Sequence, residues 1–142
     1  MDRQLQFDKA YLAMAHSWSM LSRAKRLKVG CLVVKDGQVI SNGYNGTPSG
    51  FSNECELNGE TKPEVLHAES NAIAKLARST SSSEGATLYC THSPCFDCAK
   101  LIIQAGIKRV VYTKQYRCID GIELLLSSGI TINTITLDNV FS

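Results

Sequence analysis

Residues 86–112 read ATLYCTHSPCFDCAKLIIQAGIKRVVY, and this stretch decides the fold. Positions 86–91 are rich in β-favouring residues and predict a strand. Positions 95–105 predict a helix that stops at Gly106, because glycine accepts the left-handed conformation common just past a helix end. Val110, Val111 and Tyr112 form a short apolar run of the kind a buried strand carries. Strand, helix and strand in so short a span make a crossover unit, and crossovers join parallel strands.

On the N-terminal side, positions 66–77 predict a helix with Ala68, Ala72, Ile73 and Leu76 along one side, and 79–84 a solvated connection. Before it, the run Cys31, Leu32, Val33, Val34 meets Asp36-Gly37, a strong hairpin signal, and Val39 and Ile40 return. Positions 42–50 are a loop dense in residues that tolerate positive φ, and 51–65 are polar and irregular. Phe7, Tyr11, Met14, Trp18 and Leu21 recur at steps of three and four, the stripe of an amphipathic first helix. That helix ends on a basic cluster, Arg23, Lys25, Arg26 and Lys28. Beyond Tyr112, positions 119–126 predict a helix ended near Gly129, and Ile130, Ile132 and Ile135 a final edge strand. The order αββαβαβαβ predicts an α/β fold in three layers, α/β/α. Its five-stranded mixed sheet should be largely parallel, with an antiparallel hairpin at one end and helices on both faces.

The sequence has 142 residues without internal repeats, low-complexity tracts or linkers, so residues 1–142 are expected to form one domain. Its hydrophobic fraction of 44% suits a full core. Fifteen basic against thirteen acidic residues leave a net charge of only +2. A sequence-independent nucleic-acid binder normally carries a larger basic excess, so a small ligand is favoured and no stable nucleic-acid partner is expected. No apolar run approaches the ~18 residues of a membrane span, so no membrane partner is expected. The N-terminus lacks a signal peptide's apolar stretch, and a cytoplasmic location follows as an expectation. In that reducing setting the six cysteines (31, 55, 90, 95, 98 and 118) read better as core residues and metal ligands than as disulfides.

The chemistry concentrates in His67-Ala68-Glu69 and Pro94-Cys95-Phe96-Asp97-Cys98. His67, Cys95 and Cys98 supply three soft ligands, one short of the four that close a structural zinc site. The free position would hold a water, and Glu69 is the carboxylate placed to handle its protons. Within a regular helix, positions i and i+2 point about 200° apart. His67 and Glu69 therefore converge only if His67 sits at the very start of its helix. Cys95 and Cys98, at i and i+3, share a face, and Pro94 suits a helix start. Two helix N-termini would then aim at one point, where their partial positive charge favours thiolates. A closed zinc knuckle with Cys90 or Cys55 as fourth ligand is the plainer alternative, but it has no use for Glu69. Cys31, Cys90 and Cys118 read as small core residues, His16 as lying on the polar side of the first helix, and His92 as bordering the pocket.

His67-Ala68-Glu69 with Pro94-Cys95-Phe96-Asp97-Cys98 closely resembles the H-x-E…P-C-x-x-C signature of the zinc-dependent nucleobase deaminases. Within that superfamily the chain is similar to the deoxycytidylate deaminases. The likeness runs through Val29-Gly30, the loop Asn42-Gly43-Tyr44-Asn45-Gly46-Thr47-Pro48, the helix from His67 to Ile73, Ser93 to Lys100, and Ala105 to Lys108. The resemblance implies a cytidine-deaminase-like fold and hydrolysis of dCMP to dUMP and ammonia, supplying thymidylate synthesis. By position it implies His67, Cys95 and Cys98 as ligands of one Zn2+ per chain and Glu69 as proton shuttle. Backbone groups at Ala68 and Ser93, with Asn45 and Tyr116, would contact the nucleoside. The basic cluster, with Arg26 and Lys28 favoured, would hold the 5′-phosphate. The resemblance further implies a homohexamer activated by dCTP and inhibited by dTTP with Mg2+, Gly43, Tyr44, Asn45 and Gly46 touching the effector, and Arg78 near a subunit interface. The stretch 51–66 is short and holds only Cys55 as a soft ligand, so no second zinc is expected. A deaminase of the same fold acting on tRNA adenosine or guanine, and a non-catalytic zinc-stabilised interaction domain, are the rival readings.

Overall fold

The computed structural model describes residues 2–142. Helix α1 (Arg3–Ser19) leads through a basic turn to β1 (Gly30–Lys35) and β2 (Gln38–Tyr44). The Asp36-Gly37 turn between these strands has positive φ at both positions, 52° and 74°, the conformation that matches a hairpin's twist. A small two-stranded arm follows, β3 (Glu56–Leu57) and β4 (Glu60–Thr61). Its turn, Asn58-Gly59, repeats the geometry with φ of 53° and 78°. The span 51–65, expected to be irregular, thus contains a hairpin whose Asn-Gly signal was present in the sequence. The remainder alternates α2 (Ala68–Leu76), β5 (Thr87–His92), α3 (Phe96–Gln104), β6 (Arg109–Lys114), α4 (Asp120–Ser127) and β7 (Thr131–Thr134). A terminal turn, α5 (Leu137–Val140), was too short for periodicity to announce.

The main sheet has the order β2-β1-β5-β6-β7. The β5/β6 and β6/β7 ladders are parallel, while β1 is antiparallel to both β2 and β5. The expectation of a largely parallel sheet is therefore corrected to an even mixture. The crossover through α2 carries the chain from β2 past β1 to β5, leaving β1 between two strands that run opposite to it. The five-stranded mixed sheet and the three layers are as expected.

Strand alternation builds one core on each face. Cys31, Val33, Leu88, Cys90, Val110 and Tyr112 point toward α2, α3 and α4, where Ala72, Ala99, Ile102 and Leu125 meet them. Leu32, Val34, Tyr89 and Val111 point the other way, toward Leu12 and Ala15 of α1 and Val140 of α5. The face α1 buries differs from the expected stripe. Asp8, Leu12, Ala15 and Ser19 are buried, whereas Phe7, Met14 and Leu21 are exposed. Small side chains win here because α1 lies directly on the β1 backbone. A Cβ at Gly30 would collide with the Ala15 carbonyl and the Ser19 amide. Tyr11 and Trp18 are half-buried beside that face, Tyr11 tilted against Tyr89 with ring centroids 5.0 Å apart.

Asp8 occupies an otherwise apolar position because the sheet supplies its partners. Arg109 donates to both carboxylate oxygens, at 2.8 and 2.6 Å, and Tyr89 donates its hydroxyl at 2.6 Å. Cys31 and Cys90 are buried core residues, as expected. Cys118 is exposed, correcting its placement in the core, because it lies in the loop between β6 and α4. His16 is half-buried, its ring edge-on to Phe141, rather than on a free polar side. No helix among the described residues is long and apolar enough to cross a membrane.

Candidate active site

Helices α2 and α3 begin side by side beyond the end of β5. His67 caps α2 with extended backbone (φ −73°, ψ 157°), and Cys95 holds the matching place before α3 (φ −73°, ψ 172°). The extended caps solve the geometric problem posed by the i, i+2 spacing: His67 turns out of the helix while Glu69, within the first turn, faces the same point. The His67 Nδ1 lies 3.4 Å from the Cys95 Sγ and 3.3 Å from the Cys98 Sγ. A tetrahedral zinc with ordinary Zn–S and Zn–N bond lengths separates sulfur from nitrogen by about 3.6 Å, so this donor set fits the ion. Among the described residues these three are the one cluster with metal-ligand geometry, and neither Cys55 nor Cys90 joins it.

The thiols are electrically unequal. Cys98, 2% exposed, hydrogen-bonds Cys95 and lowers its thiol to about 4, helped by His67. Cys98 is itself pushed well up by that bond and by burial. The negative sulfur of Cys95 in turn raises His67. A thiolate beside an imidazole and a second thiol is primed to exchange protons for a cation. Glu69 is 4% exposed, and burial raises its carboxyl above the ordinary range. The Cys90 and Cys98 thiols are its polar neighbours.

Backbone packing fixes the floor. The Cys31 thiol donates to the Ala68 carbonyl at 3.1 Å. A Cβ at Gly43 would strike that same carbonyl, so β2 runs flush against the first turn of α2. A Cβ at Gly121 would strike the Pro94 carbonyl and the Cys95 backbone, so α4 starts directly on the peptide that presents Cys95.

A cleft of about 400 Å³ opens over this floor, and His67, Ala68, Glu69, Ser93 and Cys95 line it. Arg26, Asn45 and Tyr116 form parts of its wall, and His92 borders it, as expected. Burial and the neighbouring Lys114 charge lower His92, which favours its neutral form. The Asn45 amide is turned to the protein: its oxygen accepts from Val29 N at 2.9 Å and its nitrogen donates to Leu27 O at 2.8 Å. Ser93 accepts the Tyr116 N–H on its hydroxyl at 2.6 Å, tying the loop after β6 to the floor.

Lys28 does not reach this cleft. Leu27 and Val29 line it, and Lys28 between them points away, as alternate residues of an extended segment do. It lines a second cavity of about 520 Å³ with Arg23, Tyr44, Gly46 and Thr47. Gly43 is pressed against α2, and Asn45 faces the first cleft. The expected effector loop is therefore divided between three surroundings. Lys114 and Arg117, which sequence reading passed over, line the first cleft on either side of Tyr116. Their signal was present: two cations flank the aromatic residue already singled out.

Residues 5–114 match the family model described as cytidine and deoxycytidylate deaminase zinc-binding region. The deoxycytidylate deaminase of Enterobacteria phage T4 is 37% identical, the alignment covering 74% of this chain and 76% of that protein. ComE operon protein 2 of Bacillus subtilis is 33% identical over 96% of this chain and 75% of its own length. A crystal structure of the dCMP deaminase from cyanophage S-TIM5, in complex with dCMP and dUMP, superposes with a TM-score of 0.90. It is 48% identical and covers 95% of this chain and 99% of its own.

Proposed function

This chain belongs to the cytidine and deoxycytidylate deaminase family, and from that premise we propose how its own residues deaminate dCMP. It is an enzyme that hydrolyses dCMP, with water as co-reactant, to dUMP and ammonia. The observation that carries the nucleotide rather than the nucleoside is the cationic wall. Arg26, Lys114 and Arg117 line the same cleft as Glu69 and the donor cluster.

His67, Cys95 and Cys98 hold zinc, one ion per chain. Zinc, when bound, supplies a Lewis acid that makes water a nucleophile near neutral pH. Glu69 takes one proton of the attacking water and passes it to N3 of the pyrimidine, then takes the second proton from the hydroxyl added at C4 and delivers it to the amine, which leaves as ammonia. A buried carboxyl with raised proton affinity suits that double duty, and such positioned acid/base groups contribute roughly 10²- to 10⁴-fold. Backbone groups of Ala68 and Ser93 hold the pyrimidine edge, and Tyr116 closes the cleft over it. Asn45 acts through the segment it braces, keeping Arg26, Leu27 and Val29 on the wall, while Arg26, Lys114 and Arg117 take the 5′-phosphate.

Residues 1–142 act as one catalytic unit of a cytoplasmic homohexamer. The second cavity, with Tyr44, Gly46, Arg23 and Lys28, suits a nucleoside triphosphate and its Mg2+. There dCTP activates and dTTP inhibits. Steady-state assays with each effector test this, and a flat response to both overturns it.

Glu69→Gln tests the chemistry. The variant should retain zinc and fold while losing at least a hundredfold in kcat on dCMP. Wild-type protein should prefer dCMP to deoxycytidine by a similar factor in kcat/KM. Undiminished turnover by the variant defeats the proton-shuttle role, and equal rates on both substrates defeat the phosphate assignment.

A further inference from the structure

The basic segment between α1 and β1 already holds an anion, and that anion belongs to the protein. The Lys25 backbone N–H points at both carboxylate oxygens of Glu56, at 3.2 and 3.0 Å. The Arg26 N–H donates to the second of them at 3.3 Å. Consecutive amides converging on one acceptor form a concavity suited to negative charge. Glu56 reaches it from the start of the β3/β4 arm, distant in sequence. No Lys or Arg side chain forms an ion pair with Glu56 among the described residues, so the two amides are what hold its carboxylate.

Arg26 and Glu56 both line the catalytic cleft, which Lys114 and Arg117 line as well. A carboxylate thus stands in an anion subsite on the one wall where the proposed substrate carries its phosphate. A phosphate dianion brings more charge and three strong acceptor oxygens to the same donors. Left in place, Glu56 would repel it across a partly enclosed site.

We propose that Glu56 is an internal competitor for the substrate's phosphate. A 5′-phosphorylated nucleotide takes over the Lys25 and Arg26 amides and displaces the Glu56 carboxylate, freeing the β3/β4 arm from the basic segment. The inference rests on the dCMP reading for its substrate. Its anion subsite can be measured without turnover. A nucleoside lacks the charge to displace Glu56 and meets the arm still fastened.

Calorimetric titration of the zinc-loaded protein with inorganic phosphate tests the subsite, with steady-state kinetics on dCMP and deoxycytidine alongside. Glu56→Ala should bind phosphate about tenfold more tightly, the scale of one charge-assisted hydrogen bond. Its KM for dCMP should fall by a similar factor, with kcat and the deoxycytidine parameters unchanged. Glu56→Gln, which keeps the arm's shape without the charge, should move in the same direction and guards against a folding artefact. Unchanged or weakened phosphate binding in both variants overturns the proposal, as does a raised KM for dCMP, which would make Glu56 a substrate contact. Wild-type protein that binds phosphate as described but never turns over dCMP would sink the activity and leave the subsite standing.

Discussion

Asp8→Ala removes the acceptor at the centre of the α1-to-sheet contact, and the structure fixes the size of the loss. Asp8 is 3% exposed and takes hydrogen bonds from Arg109 Nη1 and Nη2, the Tyr89 hydroxyl and Gln4 Nε2. Alanine strands a guanidinium and a phenol in the core. Breaking one partner of a buried ion pair costs about 3–5 kcal/mol. The Arg109 side chain keeps 19% of its exposure, so water softens the loss and about 3 kcal/mol is expected. For a chain of this size that lowers Tm by roughly 10 °C. Adding Arg109→Met to Asp8→Ala should cost little more, because the stranded charge goes with it.

The pH dependence has a definite sign. Burial alone would raise the Asp8 carboxyl, but the bonds from Arg109, Tyr89 and Gln4 outweigh it and hold the group below its ordinary 3.8. A carboxyl depressed in the folded state contributes stability that is complete above its unfolded value and is lost as pH falls through the folded one. The gap between wild type and Asp8→Ala should therefore stay constant from neutral pH to about 4 and close below it. Thermal and denaturant unfolding across pH measure the gap. Turnover per folded molecule should not change, because Arg109 starts β6 while the cleft lies at its far end, by Lys114. A loss under about 1 kcal/mol, or strict additivity of the two substitutions, refutes the reasoning.

Two further substitutions probe the floor and wall of the site. Gly121→Ala drives a methyl into the Pro94 carbonyl, so α4 must retreat and Cys95 must shift. Zinc affinity, measured by competition with a chelating dye, should drop at least tenfold, the usual scale for groups that support a metal ligand. Unchanged affinity would show that the Cys95 peptide does not depend on α4. Ser93→Ala takes away the acceptor for the Tyr116 N–H. Water can replace part of that bond in this exposed loop, so a cost of about 1 kcal/mol is expected, roughly a fivefold rise in KM for dCMP with little change in kcat. A fall in kcat at constant KM would move Ser93 into the chemical step.

Most of the fold was legible because its signals are local. Alternating strands, Asp36-Gly37 and the glycine stop at Gly106 need only neighbouring residues to be read. The metal cluster was legible for the same reason, since each half is a compact motif whose helix-start geometry follows from side-chain directions. What escaped depends on partners distant in sequence. The buried side of α1 was misread because Asp8 looks solvent-facing until Arg109 is known to lie beneath it. Lys28 was assigned to the cleft because nearness in the chain conceals that Leu27 and Val29 point one way and Lys28 the other. Lys114 and Arg117 were missed because only the end of a parallel strand brings them to Arg26. The Glu56 contact could not be anticipated from spacing at all, since it joins the start of the β3/β4 arm to an irregular segment some thirty residues earlier.

The three bare approaches at Gly30, Gly43 and Gly121 set backbone against backbone, and main-chain atoms offer natural or artificial selection almost nothing to adjust. Much of the cleft's perimeter, by contrast, belongs to three connecting segments, 22–28, 51–65 and 115–119. New substrate preferences in this scaffold should thus arise by redecorating those margins, while the platform that orients His67, Cys95 and Glu69 is inherited unaltered.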